Sequence, residues 1–230
     1  MYLALLLVLF VIVAFAKDSF YIYQFARQVA LDGYKVEELV ASVATCARVD
    51  DCVRICARDE VCVAVTYRQN KCSIYRSSVS SSGILLSEAT TYVKQGALPS
   101  PDPCPVSGGY TSVLSPRLCY RLHKGGKKWP QTQSLCAAEG GRLIILNEDE
   151  KYDYLAAYTK RIDFRPWIGL LVENKTYHAW TDGSTHIRDG AKSPNKFFIG
   201  YSACGFLYRG EIRSRFCRNP YGYLCEIVIT

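Results

Sequence analysis

Trp129-Pro-Gln-Thr-Gln-Ser-Leu-Cys136-Ala-Ala-Glu-Gly-Gly-Arg-Leu-Ile-Ile-Leu146 divides into two elements. Gln131 to Glu139 reads as a helix. Gly140-Gly141 stops it, because glycine enters the left-handed backbone that closes a helix without steric cost. Arg142 to Leu146 then reads as a strand. Downstream, Asn147-Glu-Asp-Glu150 has the pattern of a helix cap with an acid at the third position. Tyr152, Leu155 and Ala156 form the apolar face of a second helix. Trp167-Ile-Gly-Leu170 and His178-Ala-Trp180 read as strands, and Thr181-Asp-Gly-Ser184 as a turn. Upstream, Cys104 to Cys119 brackets Gly108-Gly109-Tyr110 and Arg117, a spacing that suits a hairpin closed by its own disulfide. Gly125-Gly126 sits among Arg121, His123, Lys124, Lys127 and Lys128 and reads as a solvated hairpin tip. The rest has short strands and irregular chain, pinned by Cys204, Cys217 and Cys225.

The N-terminus carries an uncharged apolar run, Tyr2 to Ala16, ending in Ala14-Phe15-Ala16. Its length and small-large-small ending fit a secretory signal peptide cleaved after Ala16. A membrane anchor is the rival reading, but a spanning helix needs roughly 20 apolar residues. Eleven cysteines in a chain on that route imply a disulfide framework, and the odd count leaves at least one thiol without a partner in the chain. That thiol is either buried and free or bridges two copies. The net charge of +7 is uneven: residues from Cys104 onward hold 18 basic and 11 acidic side chains, the whole excess. A basic extracellular surface suits acidic partners such as sulfated glycans or phospholipid head groups, or serves solubility alone.

Pro99, Pro101 and Pro103 make residues 96–103 a semi-rigid linker between two cysteine-bearing blocks. Cysteines 46, 52, 56, 62 and 72 precede it and the other six follow, so the first block holds the odd thiol. Ser42 to Ala57 reads as a helix, with Cys52 and Cys56 four apart on one face. Val61 to Tyr67 and Cys72 to Tyr75 read as strands joined by the turn Arg68-Gln-Asn-Lys71. A fold this small needs its disulfides.

Two resemblances follow from these motifs. Cys52-Val-Arg-Ile-Cys56, Cys62 before an apolar strand with Tyr67, then Cys72 and Tyr75 resemble the PAN/apple module. The resemblance implies Cys56–Cys62 and Cys52–Cys72 with Cys46 spare. Ser42 to Cys46 also looks like the module's helix start, which leaves the roles of Cys46 and Cys52 open to exchange. Modules of this kind bind proteins or carbohydrates, or act as spacers. The second block has Cys119-Tyr120, Trp129 ahead of Cys136, Gly140-Gly141-Arg142-Leu143, Trp167-Ile-Gly-Leu170, Trp180-Thr-Asp-Gly-Ser184 and Tyr223-Leu-Cys225-Glu226. In this order they resemble a long-form C-type lectin domain. That implies an α+β fold with two helices, antiparallel sheets and a long loop, and the pairs Cys104–Cys119, Cys136–Cys225 and Cys204–Cys217. The expected division is a signal peptide over 1–16, a PAN/apple-like domain over 17–95, the linker, and a C-type lectin-like domain over 104–230.

Sugar-binding members of the lectin family hold calcium through oxygen ligands, as a hard cation requires. Here the first ligand triplet aligns with Ser193-Pro194-Asn195 and the second with Ile212-Arg213-Ser214. The nearby glutamate falls at Tyr201 or Ser202, and Glu211 is the single acid between Pro194 and Cys217. A guanidinium at this place repels the ion, so the expectation is no calcium and no other cofactor. Lys192, Asn195, Lys196, Arg209, Glu211, Arg213 and Arg215 are the candidate ligand-binding residues, with Arg218 close by, because arginine forks match carboxylate and sulfate. A solvated charged face is the plain alternative. Asn174-Lys175-Thr176 is a glycosylation sequon.

Enzymatic chemistry finds no support. Of His123, His178 and His186, His178 reads as packed beside Trp180. No nucleophile elbow, zinc spacing or phosphate loop occurs, and Cys46 is the one loose thiol. The expected function is a secreted extracellular protein that recognises glycans, for example in innate defence or adhesion, or acidic extracellular proteins. Its counterpart is a protein or matrix interaction module without sugar binding. Neither nucleic acid nor a membrane span is expected after signal removal, and a disulfide-linked homodimer rests on the odd cysteine.

Overall fold

A computed structural model describes residues 9–16, 19–172, 178–184 and 203–229. It divides into two compact units. One takes residues up to Pro103 together with Thr111–Ser115; the other takes Cys104–Tyr110 and the residues from Pro116 onward.

In the first unit, β1 (Leu9–Ala16) pairs antiparallel with β2 (Ser19–Arg27), from Leu9 opposite Ala26 to Ala16 opposite Ser19. There follow β3 (Tyr34–Val36), β4 (Ser42–Thr45), α1 (Val49–Arg58), β5 (Ala64–Arg68), β6 (Lys71–Tyr75), β7 (Ser81–Leu85), β8 (Thr90–Lys94) and β9 (Thr111–Val113), the last bridged to Ser77. The main sheet runs β1-β2-β8-β5-β6-β4, and β3 pairs with β7.

The helix expected over Ser42–Ala57 is shorter at its start. Ser42–Thr45 is an edge strand, with Ser42 opposite Ile74 and Thr45 opposite Lys71, so pairing to β6 overrides the weak helical preference of these residues. Helix α1 begins at Val49, with Asp50 and Asp51 in its first turn and Arg58 in its last, charges that complement the helix dipole. It buries Cys52, Val53, Cys56 and Ala57. Cys52 bonds to Cys72 of β6 and Cys56 to Cys62 ahead of β5, clipping the helix to the sheet. Gln69 and Asn70, both at positive φ, make the two-residue turn between β5 and β6.

Cys46 is the unpaired thiol and is 4% exposed, packed in the same core as the Cys52–Cys72 bridge. Burial first, and Asp51 second, push its thiol pKa up, which suppresses the reactive thiolate. A bridge between two copies needs this core to open. Alkylation of Cys46 is therefore expected only after denaturation, and a non-reducing gel is expected to show a monomer. A dimer band that disappears on reduction would overturn this.

In the second unit, β10 (Leu118–Lys127), α2 (Trp129–Ala138), β11 (Arg142–Leu143), α3 (Asp149–Arg161), β12 (Trp167–Val172), β13 (His178–Trp180), β14 (Ala203–Tyr208), β15 (Glu211–Phe216) and β16 (Tyr221–Ile227) follow in order. The sheet runs β15-β14-β12-β16-β10, with β11 on β16 and β13 on β12. The two helices and the mainly antiparallel pairing, parallel between β12 and β16, are those of a mixed α+β fold. Cys104–Cys119, Cys136–Cys225 and Cys204–Cys217 are bonded.

Three local readings need correction. Gly125-Gly126 is no hairpin tip: Leu118–Lys127 is one strand that crosses this pair along β16, with a register shift between His123 and Lys127. Its bulge absorbs the glycines, and a Cβ on Gly126 would stand 3.2 Å from the Pro220 carbonyl oxygen. The strand expected over Arg142–Leu146 pairs only at Arg142 and Leu143, although Ile144, Ile145 and Leu146 remain buried. The N-cap of α3 is Glu148, with no side-chain cap bond, in place of Asn147. The core is built around the tryptophans. Trp129 donates its indole N–H to the Ile168 carbonyl at 2.7 Å, and Trp167 donates to that of Lys127 at 2.9 Å.

Candidate functional site

The hairpin β14–β15 carries the predicted arginines. Arg209 and Gly210, at φ +49° and +79°, form its two-residue turn, a conformation that matches the strand twist. Gly210 cannot be replaced without displacement, since its Cβ would meet Lys160 Cε at 2.5 Å and the Ala156 carbonyl at 3.1 Å. The turn is fastened to α3: the Gly210 N–H donates to Thr159 Oγ1 at 3.2 Å, and the Tyr152 hydroxyl donates to the Gly210 carbonyl at 2.9 Å. At the other end the Cys204–Cys217 bridge closes the hairpin.

Strand alternation then sorts β15. Ile212 and Ser214 are buried, at 5% and 3% exposure, whereas Glu211, Arg213 and Arg215 lie on the other face. Arg213 donates to Glu211 Oε2 through Nη2 at 2.8 Å and Nε at 3.3 Å, so part of its charge is already answered within the strand. The Arg215 side chain is exposed. Arg218 lies 5.5 Å from the Phe216 ring centre.

Two residues that sequence reasoning missed complete this surface. Tyr208, the last residue of β14, has three guanidinium groups about its ring: Arg165 at 4.7 Å, Arg209 at 5.2 Å and Arg213 at 5.2 Å. Arg165 comes from the segment between α3 and β12, and its linear neighbours gave no hint of the hairpin. The Tyr208 and Tyr221 hydroxyls beside it raise its pKa further. Asp163 supplies the balancing carboxylate, 3.4 Å from the Tyr208 hydroxyl and 4.0 Å from Arg209. The predicted Arg209, Glu211, Arg213 and Arg215 are thus brought together. Lys192, Asn195, Lys196 and the sequon residue Asn174 lie outside the described residues, as do Ser193, Pro194, Tyr201 and Ser202.

Among the described residues, the aligned triplet Ile212-Arg213-Ser214 offers a cation no carboxylate. Of the aligned triplet, Ile212 offers no oxygen, Arg213 brings a positive charge and the Ser214 side chain is turned inward. The carboxylate of this strand, Glu211, is held by Arg213. A hard cation needs several oxygen ligands at once.

A second polar cluster lies on β10, α2 and β16. Glu139 accepts from the Tyr110 hydroxyl at 2.9 Å, with His123 Nε2 at 3.3 Å and an Arg121 nitrogen at 3.6 Å. The His123 ring stacks on Tyr223 at 4.3 Å. Burial first, and Arg121 as well, lowers the histidine pKa, against the pull of Glu139. Cys225, next to this group, is bonded to Cys136 and is no ligand.

Comparison with known proteins places two domains on the chain. Residues 125–227 match the family model described as the lectin C-type domain, and residues 29–85 match the PAN-like domain. Snaclec A8 of Macrovipera lebetinus is 29% identical over 122 residues, 47% of this chain and 91% of that protein. C-type lectin domain family 10 member A of Rattus norvegicus is 25% identical over 118 residues, again 47% of this chain. The chain spans 38% of that rat protein's length. Among solved structures, the C-type carbohydrate-recognition domain of cow CD23 is 26% identical with a TM-score of 0.42, covering 49% of this chain and 89% of that one.

Proposed function

Because this chain carries a PAN-like domain followed by a C-type lectin domain, we propose that it is a secreted protein that recognises carbohydrate, anionic glycans in particular, without calcium at the usual sugar position. The observation that supports this is the β14–β15 hairpin. By the resemblance, Arg213 falls at a position where sugar-binding relatives place a calcium ligand, with Arg209 and Arg215 close by in the same stretch, and guanidinium groups bind sulfate and carboxylate through paired N–H donors.

A glycan array run with and without chelator tests the reading. Binding to sulfated or carboxylated glycans, unaffected by chelator, is the expected result. Silence across the array would favour an acidic protein or matrix partner. On a heparin column, Arg213→Ala/Arg215→Ala is expected to elute well before the parent protein; coincident elution would remove these arginines from the site. Added calcium is expected to leave the melting temperature unchanged, and a stoichiometric calorimetric signal at this position would overturn that.

Secretion rests on the apolar Tyr2–Ala16 segment and on the disulfides. No helix among the described residues is long and apolar enough to cross a membrane. N-terminal sequencing of protein recovered from medium is expected to begin at Lys17, a cleavage that removes β1 and leaves β2 as the edge strand of the first unit's main sheet.

A further inference from the structure

A cleft of about 370 Å³ opens between β10, the α3–β12 segment and the start of β16. This is within the span of small-ligand sites, roughly 300–1,000 Å³. Its walls come together because two positions lack side chains. A Cβ on Gly222 would stand 2.6 Å from the His123 carbonyl oxygen and 2.7 Å from the Phe164 ring, and Gly126 backs onto Pro220.

The lining has two kinds of surface. Phe164 and Tyr221 supply aromatic faces. Tyr221 is held firmly, 4.8 Å from the Trp167 ring and 5.2 Å from Phe206. Lys124 and Arg165 supply positive charge from different walls. Arg165 stands over the Tyr208 ring, 4.7 Å from its centre, and beside Tyr221, contacts that place its charge without an ion pair. Asp163 is the acidic group of the lining, and it is shared with Tyr208 and Arg209.

We propose that this cleft is a subsite for one acidic sugar residue of a glycan chain, a sulfated or carboxylated pyranose. Its anionic group sits between Lys124 and Arg165. Its C–H-rich face lies on Phe164 and Tyr221, whose ring faces are weakly negative. The inference rests on the carbohydrate-binding reading above and deepens it. Arg165 shares the Tyr208 ring with Arg209 and Arg213, so the cleft continues the arginine-bearing hairpin, and a longer chain meets both. A simple phosphate or sulfate binder has no use for the aromatic pair; a pyranose uses both surfaces.

Calorimetric titration of the full chain with a heparin tetrasaccharide tests this. Lys124→Ala/Arg165→Ala is expected to weaken binding about ten-fold or more, and Phe164→Ala about five-fold. Lys71→Ala, a charge loss on the first unit, is expected to stay within about two-fold. Unchanged tryptophan-monitored melting of the double variant certifies its fold, since Trp129, Trp167 and Trp180 all lie in the second unit. Parent-like affinity in the double variant would overturn the cleft while leaving glycan recognition intact. Failure of the parent protein to bind heparin or any array sugar would overturn both. A sulfotyrosine peptide that outcompetes the tetrasaccharide, and is lost in the double variant, would overturn the saccharide assignment.

Discussion

Glu226→Ala is expected to destabilise the lectin domain by about 3–5 kcal/mol, the cost of stranding buried charge. Glu226 is 2% exposed. Its Oε2 accepts from Lys151 Nζ at 2.8 Å, and its Oε1 accepts from Arg142 Nε at 2.9 Å and from the Ile145 amide at 3.2 Å. Lys151 is itself 8% exposed. Removing the carboxylate leaves that ammonium ion in the core with Glu148, 4.0 Å away and exposed, as a weak substitute. Arg142 fares better, because Asp182 stands 3.5 Å from it. Removing both ions is therefore less harmful than removing one: Glu226→Ala/Lys151→Met is expected to recover most of the loss. Denaturant unfolding followed by tryptophan fluorescence reads the second unit alone. A single variant within about 1 kcal/mol of the parent would show that water, and not the protein, satisfies these charges.

The same residue shows why the fold was legible and the site less so. Tyr223-Leu-Cys225-Glu226 announces itself because a buried acid, a disulfide and two apolar side chains must meet at fixed positions. Gly169 is of this kind too: its Cβ would lie 2.7 Å from Thr181 Oγ1 and 2.9 Å from the Leu143 carbonyl, so a close approach of backbones leaves a mark in the sequence. Cys52 and Cys56 are marked by helical spacing. Ser42–Thr45 lacks any such mark. Its residues suit several backbones, and the decision comes from β6, a strand some thirty residues away. The Gly125-Gly126 pair misled because glycines fit a bulge within a long strand as well as they fit a turn. Arg165 was invisible for another reason. It joins Arg209 and Arg213 only through the Tyr208 ring, and long-range side-chain proximity on an exposed surface leaves no periodic pattern.

Glu38→Gln is expected to stabilise the PAN-like unit in alkaline solution and to do little in acid. Glu38 is 3% exposed. It accepts from the Ser80 amide at 2.9 Å and from the Ser80 hydroxyl at 2.6 Å, tying the segment after β3 to the start of β7. Burial raises its carboxyl from 4.5 to about 7, outweighing the two Ser80 donors that favour the ionised form. The folded chain thus holds this proton more tightly than the unfolded chain does. Below pH 4.5 both states are protonated and the group contributes nothing. Between pH 4.5 and 7 the unfolded chain releases the proton first, so stability falls as pH rises. Above pH 7 the full penalty stands, on the order of 3 kcal/mol. Glutamine stays neutral at every pH, and its amide can both accept from the Ser80 N–H and donate to the hydroxyl. A gain of about 1–3 kcal/mol at pH 8, shrinking toward zero near pH 4.5, is therefore expected. The first unit has no tryptophan, so the measurement is hydrogen exchange of the β5–β6 amides, the centre of its sheet, in parent and variant across this range. Equal protection at pH 8 would mean that burial does not raise the Glu38 pKa, and a gain that persists undiminished in acid would mean that the effect does not come from its titration.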